Sequence, residues 1–200
     1  MVIVTHPIEA ESYRRIAASV DLSDLPLVQR AVVERVIHAT ADLGFAKSLC
    51  LSDGAVEAGV TAIRSGAPVV VDVEMVRAGI GGTAAECFLA EARAAGPATD
   101  PALTLSARAM MLAAERHADG AVFVVGCAPT ALEQLLDLVE AGLVRPALVV
   151  GVPVGFVGAA EAKERLRTFD GLASISNRGE RGGSAVAAAI VNAIVRMQSV

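Results

Sequence analysis

Tryptophan is absent from this 200-residue chain, tyrosine occurs once, at Tyr13, and aromatic residues make up only 3%. Hydrophobic residues nevertheless reach 54%. The core must therefore be assembled from alanine, valine, leucine and isoleucine, side chains that suit closely packed parallel strands and helices. Long apolar runs are also missing. Each one, including residues 146–160 and 182–195, is cut by proline, glycine or a polar residue before the ~20 residues that a membrane span needs. Cysteine is scarce and badly spaced for bonding. Cys50, Cys87 and Cys127 form no CxxC pair and no Cys/His zinc pattern, so neither a disulfide framework nor a metal site is expected, and they read as small buried residues. Positive charge is in deficit, 17 basic against 22 acidic side chains for a net −5, which argues against nucleic acid or an anionic membrane as partner. The N-terminal MVIVTHPIEAES has neither a basic segment nor the long apolar core of a secretory signal, so a cytoplasmic location is expected. Phosphate-binding fingerprints are lacking as well. No GxxxxGK[ST] occurs, no nucleophile elbow is visible, and the glycines at 151, 155 and 158 miss GxGxxG.

What is present is alternation. Five short β-prone runs, at residues 68–72, 87–89, 121–125, 147–150 and 172–175, are separated by helical patterns. The helices are expected over residues 9–19, 27–45, 53–65, 104–118, 130–141, 159–167 and 184–197. Pro26 suits a helix start, Ser52 a cap, and Gly66 and Gly142 helix ends. This order predicts an α/β fold: one domain over residues 1–200, a three-layer, Rossmann-like sandwich on a mainly parallel sheet of about five strands. Residues 96–101 (GPATDP) are the one linker-like stretch.

In such sheets ligands bind beyond the carboxyl ends of the strands. Three loops qualify: DVEM at 72–75, GCAPTAL at 126–132 and GVPVGFVGAAEAK at 151–163. Any one of them alone reads as an ordinary turn; three together suggest a site. Of the histidines, His117 ends a helix and reads as structural, and His6 lies in a cap segment, HPIEAES, of open role. On the second helix Val28, Val32, Val36, Ala39 and Leu43 form one stripe, with His38 opposite, a turn from Glu34 and from Asp42. Two carboxylates there would favour an imidazolium suited to general acid work, although a solvated helix face explains the pattern too. Before the last helix, GERGGS at 179–184 reads equally as an anion site using Arg181 or as tight packing against the sheet.

HPIEAES, RVIHATAD around His38, GAPVVVDVEM, GCAPTAL, PVGFVGAAEAK and RGGSAVAAAIVNA, in this order from residue 6 to about 193, resemble the precorrin-8X methylmutase family of cobalamin biosynthesis. The resemblance implies an isomerase that moves a methyl group between adjacent carbons of ring C of precorrin-8X to give hydrogenobyrinate, with no cofactor and no metal. It implies that His38 donates the proton promoting the shift, that Ser12, Asp72, Met75, Thr104, Pro129, Thr130 and Lys163 lie at or near the tetrapyrrole, and that the unit is a homodimer whose subunits complete each other's sites. Lys163 is then the expected polar contact of the glycine run. The chain departs from the family pattern at Leu105 and Glu180, where arginine is usual, at Cys127, where asparagine is usual, and at Ala162, where serine is usual. Arg108, three residues after Leu105 on the same helix face, is expected to replace one lost charge at the substrate. A diverged corrinoid binder without turnover is the alternative; a nucleotide-dependent enzyme rests on fold analogy alone.

Overall fold

The computed structural model describes residues 6–97 and 100–197. Residues 98 and 99 of the GPATDP stretch lie outside the described residues. In chain order the elements are α1 (Pro7–Ser19), α2 (Leu27–Thr40), α3 (Phe45–Ser48), β1 (Leu49–Leu51), α4 (Ala55–Arg64), β2 (Val69–Val71), α5 (Glu74–Gly79), β3 (Glu86–Cys87), α6 (Leu89–Ala94), α7 (Leu105–Arg116), β4 (Val122–Val125), α8 (Pro129–Glu140), β5 (Leu148–Gly151), α9 (Ala159–Thr168), β6 (Ser174–Asn177) and α10 (Ser184–Met197).

The sheet order is β1-β6-β5-β4-β2-β3, parallel throughout except where β1 runs antiparallel to β6. Period-two alternation divides the valine-rich strands between two cores. Val69, Val71, Val122, Val124, Leu148, Val150 and Ile175 face α1, α2, α4, α5 and α10. Val70, Phe123, Val125 and Val149 face α6, α7, α8 and α9. The result is the expected mainly parallel three-layer sandwich, with six strands rather than about five.

The chain runs from β2 outward to β3, then returns to β4 and continues outward through β5 to β6 on the other side. The order therefore reverses between β2 and β4, the switch point at whose carboxyl ends sheets of this type form their binding crevice. Helix starts fix the loops there. Pro129 occupies the first turn of α8, where a missing N–H costs nothing. Thr104 caps α7, its Oγ1 accepting from the Ala107 amide at 3.2 Å.

Three local expectations fail for physical reasons. Instead of running to residue 45, α2 stops at Thr40, because Ala41 turns left-handed (φ 54°) and local side chains compete for the backbone. The Asp42 amide donates to Thr40 Oγ1, and the Gly44 amide donates to Asp42 Oδ1 at 2.8 Å. Ser52 does not cap α4: Gly54 holds that position with φ 71°, while Ser52 Oγ accepts from the Ser174 amide. The cysteines are not core residues; Cys50 and Cys87 are half-buried and Cys127 is exposed. No helix among the described residues is long and apolar enough to cross a membrane.

Candidate active site

His6 starts α1 by accepting the Ile8 amide on Nδ1 at 3.3 Å, which settles its role as a cap. Nearly two turns later α1 presents Ser12 and Tyr13 to α2. Ser12 Oγ lies 2.8 Å from His38 Nδ1, and the Tyr13 ring stacks on the imidazole with centroids 5.2 Å apart. His38 is half-buried in the wall of a groove of about 660 Å³, lined also by Pro7, Ile8, Glu11, Ser12 and Leu43. The expected carboxylate neighbours are engaged elsewhere: Glu34 pairs with Arg30 at 3.6 Å, and Asp42 with Arg181 at 2.5 Å. The buried stripe of α2 is Val32, Val33, Val36 and Ile37, so Ala39 and Leu43 do not belong to it.

This pairing bears on which ring nitrogen carries the proton. When Ser12 donates to Nδ1, the proton of a neutral imidazole sits on Nε2, and when His38 is charged Nε2 carries a proton too; when a neutral ring donates from Nδ1 to Ser12, Nε2 is an acceptor. Nε2 is a proton donor in the first two forms.

At the strand reversal, Asp72 is 1% exposed and its carboxylate accepts three backbone amides of the β4–α8 loop: Gly126 at 3.0 Å, Cys127 at 2.7 Å and Ala128 at 2.8 Å. Burial pushes its pKa up, and the amides of Gly126, Ala128 and Cys127 pull against that rise. Asp72 therefore shapes the loop that ends in Pro129 and Thr130. Thr130 Oγ1 in turn meets Thr104 Oγ1 at 2.7 Å, joining the starts of α7 and α8. The Cys127 thiol on this loop is held above its ordinary pKa, first by burial and then by the Asp72 charge, which leaves it a poor nucleophile.

The glycine run after β5 exposes Val154, Phe156 and Val157, with Phe156 at 95%, while Met75 stands exposed after β2. Its expected polar contact is not there. Lys163 is 0% exposed and donates to the Arg181 carbonyl at 2.6 Å and to Asn177 Oδ1 at 3.3 Å. GERGGS is a packing element: a Cβ on Gly182 would collide with the Val152 carbonyl oxygen.

Arg108 does not take the place expected for it. Its Nη2 donates to the Ala92 carbonyl at 2.9 Å, on the α6 side of α7, while Leu105 packs against the second core. An apolar side chain at 105 buys burial there, and the neighbouring arginine satisfies the end of α6 instead. His117 is structural as expected, bonded to Glu86 at 3.2 Å.

The described residues thus form two groups within one chain. Ser12 and His38 share the α1–α2 groove, while Asp72, Met75, Thr104, Pro129 and Thr130 belong to the crevice loops and do not line that groove. Arg181, on the β6–α10 loop, reaches the first of them through Asp42 at the exit of α2. Sequence reasoning missed Tyr13, the partner stacked on His38. Its spacing to Glu9 and to Ile16 marks only a helix face, and nothing local announces a contact 25 residues away in sequence.

The family described as precorrin-8X methylmutase matches residues 7–197. A precorrin-8X methylmutase of Pseudomonas aeruginosa is 41% identical over 191 residues, 92% of this chain and 91% of that one. A cobalt-precorrin-8 methylmutase of Methanocaldococcus jannaschii is 41% identical over 167 residues, 84% of this chain and 79% of that one. Among solved structures, precorrin-8X methylmutase of Thermus thermophilus superposes with a TM-score of 0.88 at 37% identity, covering 96% of this chain and 95% of that one.

Proposed function

Since the chain belongs to the precorrin-8X methylmutase family and is a methyl-shifting isomerase of cobalamin biosynthesis, we propose that His38 supplies the proton that drives the methyl shift on ring C of precorrin-8X, giving hydrogenobyrinate. The observation that carries this is the 2.8 Å contact between Ser12 Oγ and His38 Nδ1 beside a groove open to a ligand: with Ser12 as the donor, or with the ring charged, a proton stands on Nε2. Protonating the conjugated macrocycle makes the ring carbon next to the methyl-bearing one electron-poor; the methyl breaks its bond, carries the bonding pair to that neighbour and forms the new bond, and loss of the proton returns electrons to the carbon it left. An isomerisation conserves atoms, so the proton given must be recovered before the next turnover. An imidazole, half-buried and oriented by one hydrogen bond, can both give and take back a proton in that cycle.

The reading extends to a homodimer of single-domain subunits, cytoplasmic in location. A tetrapyrrole is wide and flat, whereas the His38 groove and the crevice loops are separate on one chain. A second copy bringing its loops over the first copy's groove would make one enclosed site, and the exposed Phe156, Val157 and Met75 supply apolar surface for that contact.

The test is incubation of wild type and His38→Ala with precorrin-8X while visible absorption is followed. Conversion by the wild type and a loss of about a hundredfold or more in the variant support the assignment. Equal conversion by both refutes it. A spectral shift on mixing without conversion in either would mean binding alone.

A further inference from the structure

Lys163 is a fully buried lysine without a carboxylate partner among the described residues. Burying an ammonium is unfavourable and is normally offset by an ion pair. Here the acceptors are neutral: the Arg181 carbonyl and the Asn177 side-chain oxygen. The charged groups around it are Arg167, which donates to Ser176 Oγ and the Asn177 carbonyl, and the exposed Glu180. With no exposed surface Lys163 does not reach a ligand, so its charge acts on the protein itself.

What it holds is specific. The Arg181 carbonyl receives both Lys163 Nζ and Asn177 Nδ2, each at 2.6 Å, which pins the β6–α10 loop onto α9 and β6. From the other side the loop is fixed by Gly183, whose amide donates to the Val152 carbonyl at 2.9 Å, and by the Gly155 amide on the Glu180 carbonyl at 3.0 Å. The Arg181 side chain then leaves the loop toward the exit of α2. It pairs with Asp42 at 2.5 Å and lies over the Phe45 ring at 5.7 Å. The guanidinium lies close over Gly44, where a Cβ would come within 2.6 Å of Arg181 Nη1 and oblige that side chain to shift. Asp42 also receives the Gly44 amide, and Ala41 and Leu43 on either side of it line the same groove as His38.

We infer that Lys163 is a positioning residue for the reaction: through the Arg181 carbonyl it sets the loop whose guanidinium fixes residues 41–44, the wall of the groove into which His38 faces. The inference rests on the role given above to His38. Lys163 touches no reacting group. Its charge makes the bond to the carbonyl stronger and shorter than a neutral donor would. Burial holds its pKa down to about 8, with Arg167 adding to that effect and Glu180 opposing it.

The test combines amide exchange, which needs no substrate, with a double-mutant cycle on turnover. In Lys163→Met the amides of Gly44 and Gly183 are expected to exchange about tenfold faster, with the α7 amides unchanged. Turnover of precorrin-8X should lose about tenfold in kcat with KM altered less than about threefold. In an Arg181→Met background, Lys163→Met should change kcat by less than about twofold, because the route is already cut. Unchanged exchange, an unchanged kcat, or independent effects of the two substitutions would each overturn the inference, the last pointing to a general packing role. If Lys163→Met does not fold, Arg181→Met alone must speed Gly44 exchange and lower kcat, and failure to do so overturns it equally. If wild type does not convert precorrin-8X, the role given to His38 fails, whereas the exchange data still decide whether Lys163 governs residues 41–44.

Discussion

Ser12 and His38 stand on two helices, 26 residues apart in sequence, and meet at 2.8 Å through Oγ and Nδ1. The contact orients the imidazole, and with Ser12 as the donor it leaves the proton of the neutral ring on Nε2. Ser12→Ala should therefore lower kcat by about tenfold, against a hundredfold or more for His38→Ala, and Ser12→Thr should retain most activity. Single-turnover absorbance measurements give the three values. Full activity in Ser12→Ala would mean that the Tyr13 stack alone orients the ring.

Asp72 governs stability before it governs chemistry. Its two oxygens accept three amides in a site from which water is excluded. Asp72→Asn replaces one acceptor oxygen with an NH₂ facing those donors, and leaving them unpaired costs about 2–4 kcal/mol. For a chain of this size that lowers Tm by about 5–15 °C. Calorimetry of the purified variant is the measurement, and a Tm within a degree of wild type would show that the loop finds other acceptors.

The layered α/β plan was legible because its signals are local: VVV and VFVV between helical patterns, Pro26 at a helix start, and Gly66 and Gly142 past helix ends. β1 was not legible. LCL is three residues long, follows a four-residue helix without a turn signal, and becomes a strand only by pairing with β6. α5 and α6 span six residues each, too few for a helical period to register. In the site, the helical projection singled out His38 and loop position the segments 72–75 and 126–132, while Asp72 and Thr130 themselves were named by the family resemblance. Direction did not follow from sequence: Lys163 faces inward and Arg108 faces α6, because each found a backbone carbonyl to satisfy.

Lys163 gives the stability curve a feature that its replacement should remove. Its pKa falls from the ordinary 10.5 to about 8 on folding, chiefly through burial. Between those values the unfolded chain holds a proton that the folded chain has released, so the unfolding free energy rises with pH, by at most about 1.4 kcal/mol per unit. Below pH 8 both states are protonated and the contribution is flat. Urea unfolding at pH 7.5, 8.5 and 9.5 should show a smaller rise, or a steeper fall, in Lys163→Met than in wild type. Parallel curves would place the lysine's titration above that window.

Arg108 offers a negative control with content. Its guanidinium serves the Ala92 carbonyl, so Arg108→Ala should cost about 1 kcal/mol of stability, the worth of one such hydrogen bond. Its effect on corrinoid affinity should match that of Arg116→Ala, a surface residue paired with Glu91. Titration of both variants with precorrin-8X, followed by absorbance, makes the comparison. A much larger loss for Arg108→Ala would mean that the side chain leaves α6 when substrate binds.

Phe156 separates folding from assembly. Its ring is 95% exposed on one chain, so Phe156→Ser removes almost no internal contact and should change the unfolding free energy of the subunit by less than about 0.5 kcal/mol. If the ring packs against a second copy, as the dimer proposal requires, each buried phenyl contributes about 1.5–3 kcal/mol. A two-fold dimer repeats every contact, so the substitution removes two such rings, about 3–6 kcal/mol in all, and weakens Kd by a hundredfold or more. Sedimentation equilibrium across a range of protein concentrations measures that shift. An unchanged Kd with a raised KM would assign the ring to the tetrapyrrole, and no change in either would remove this loop from both surfaces.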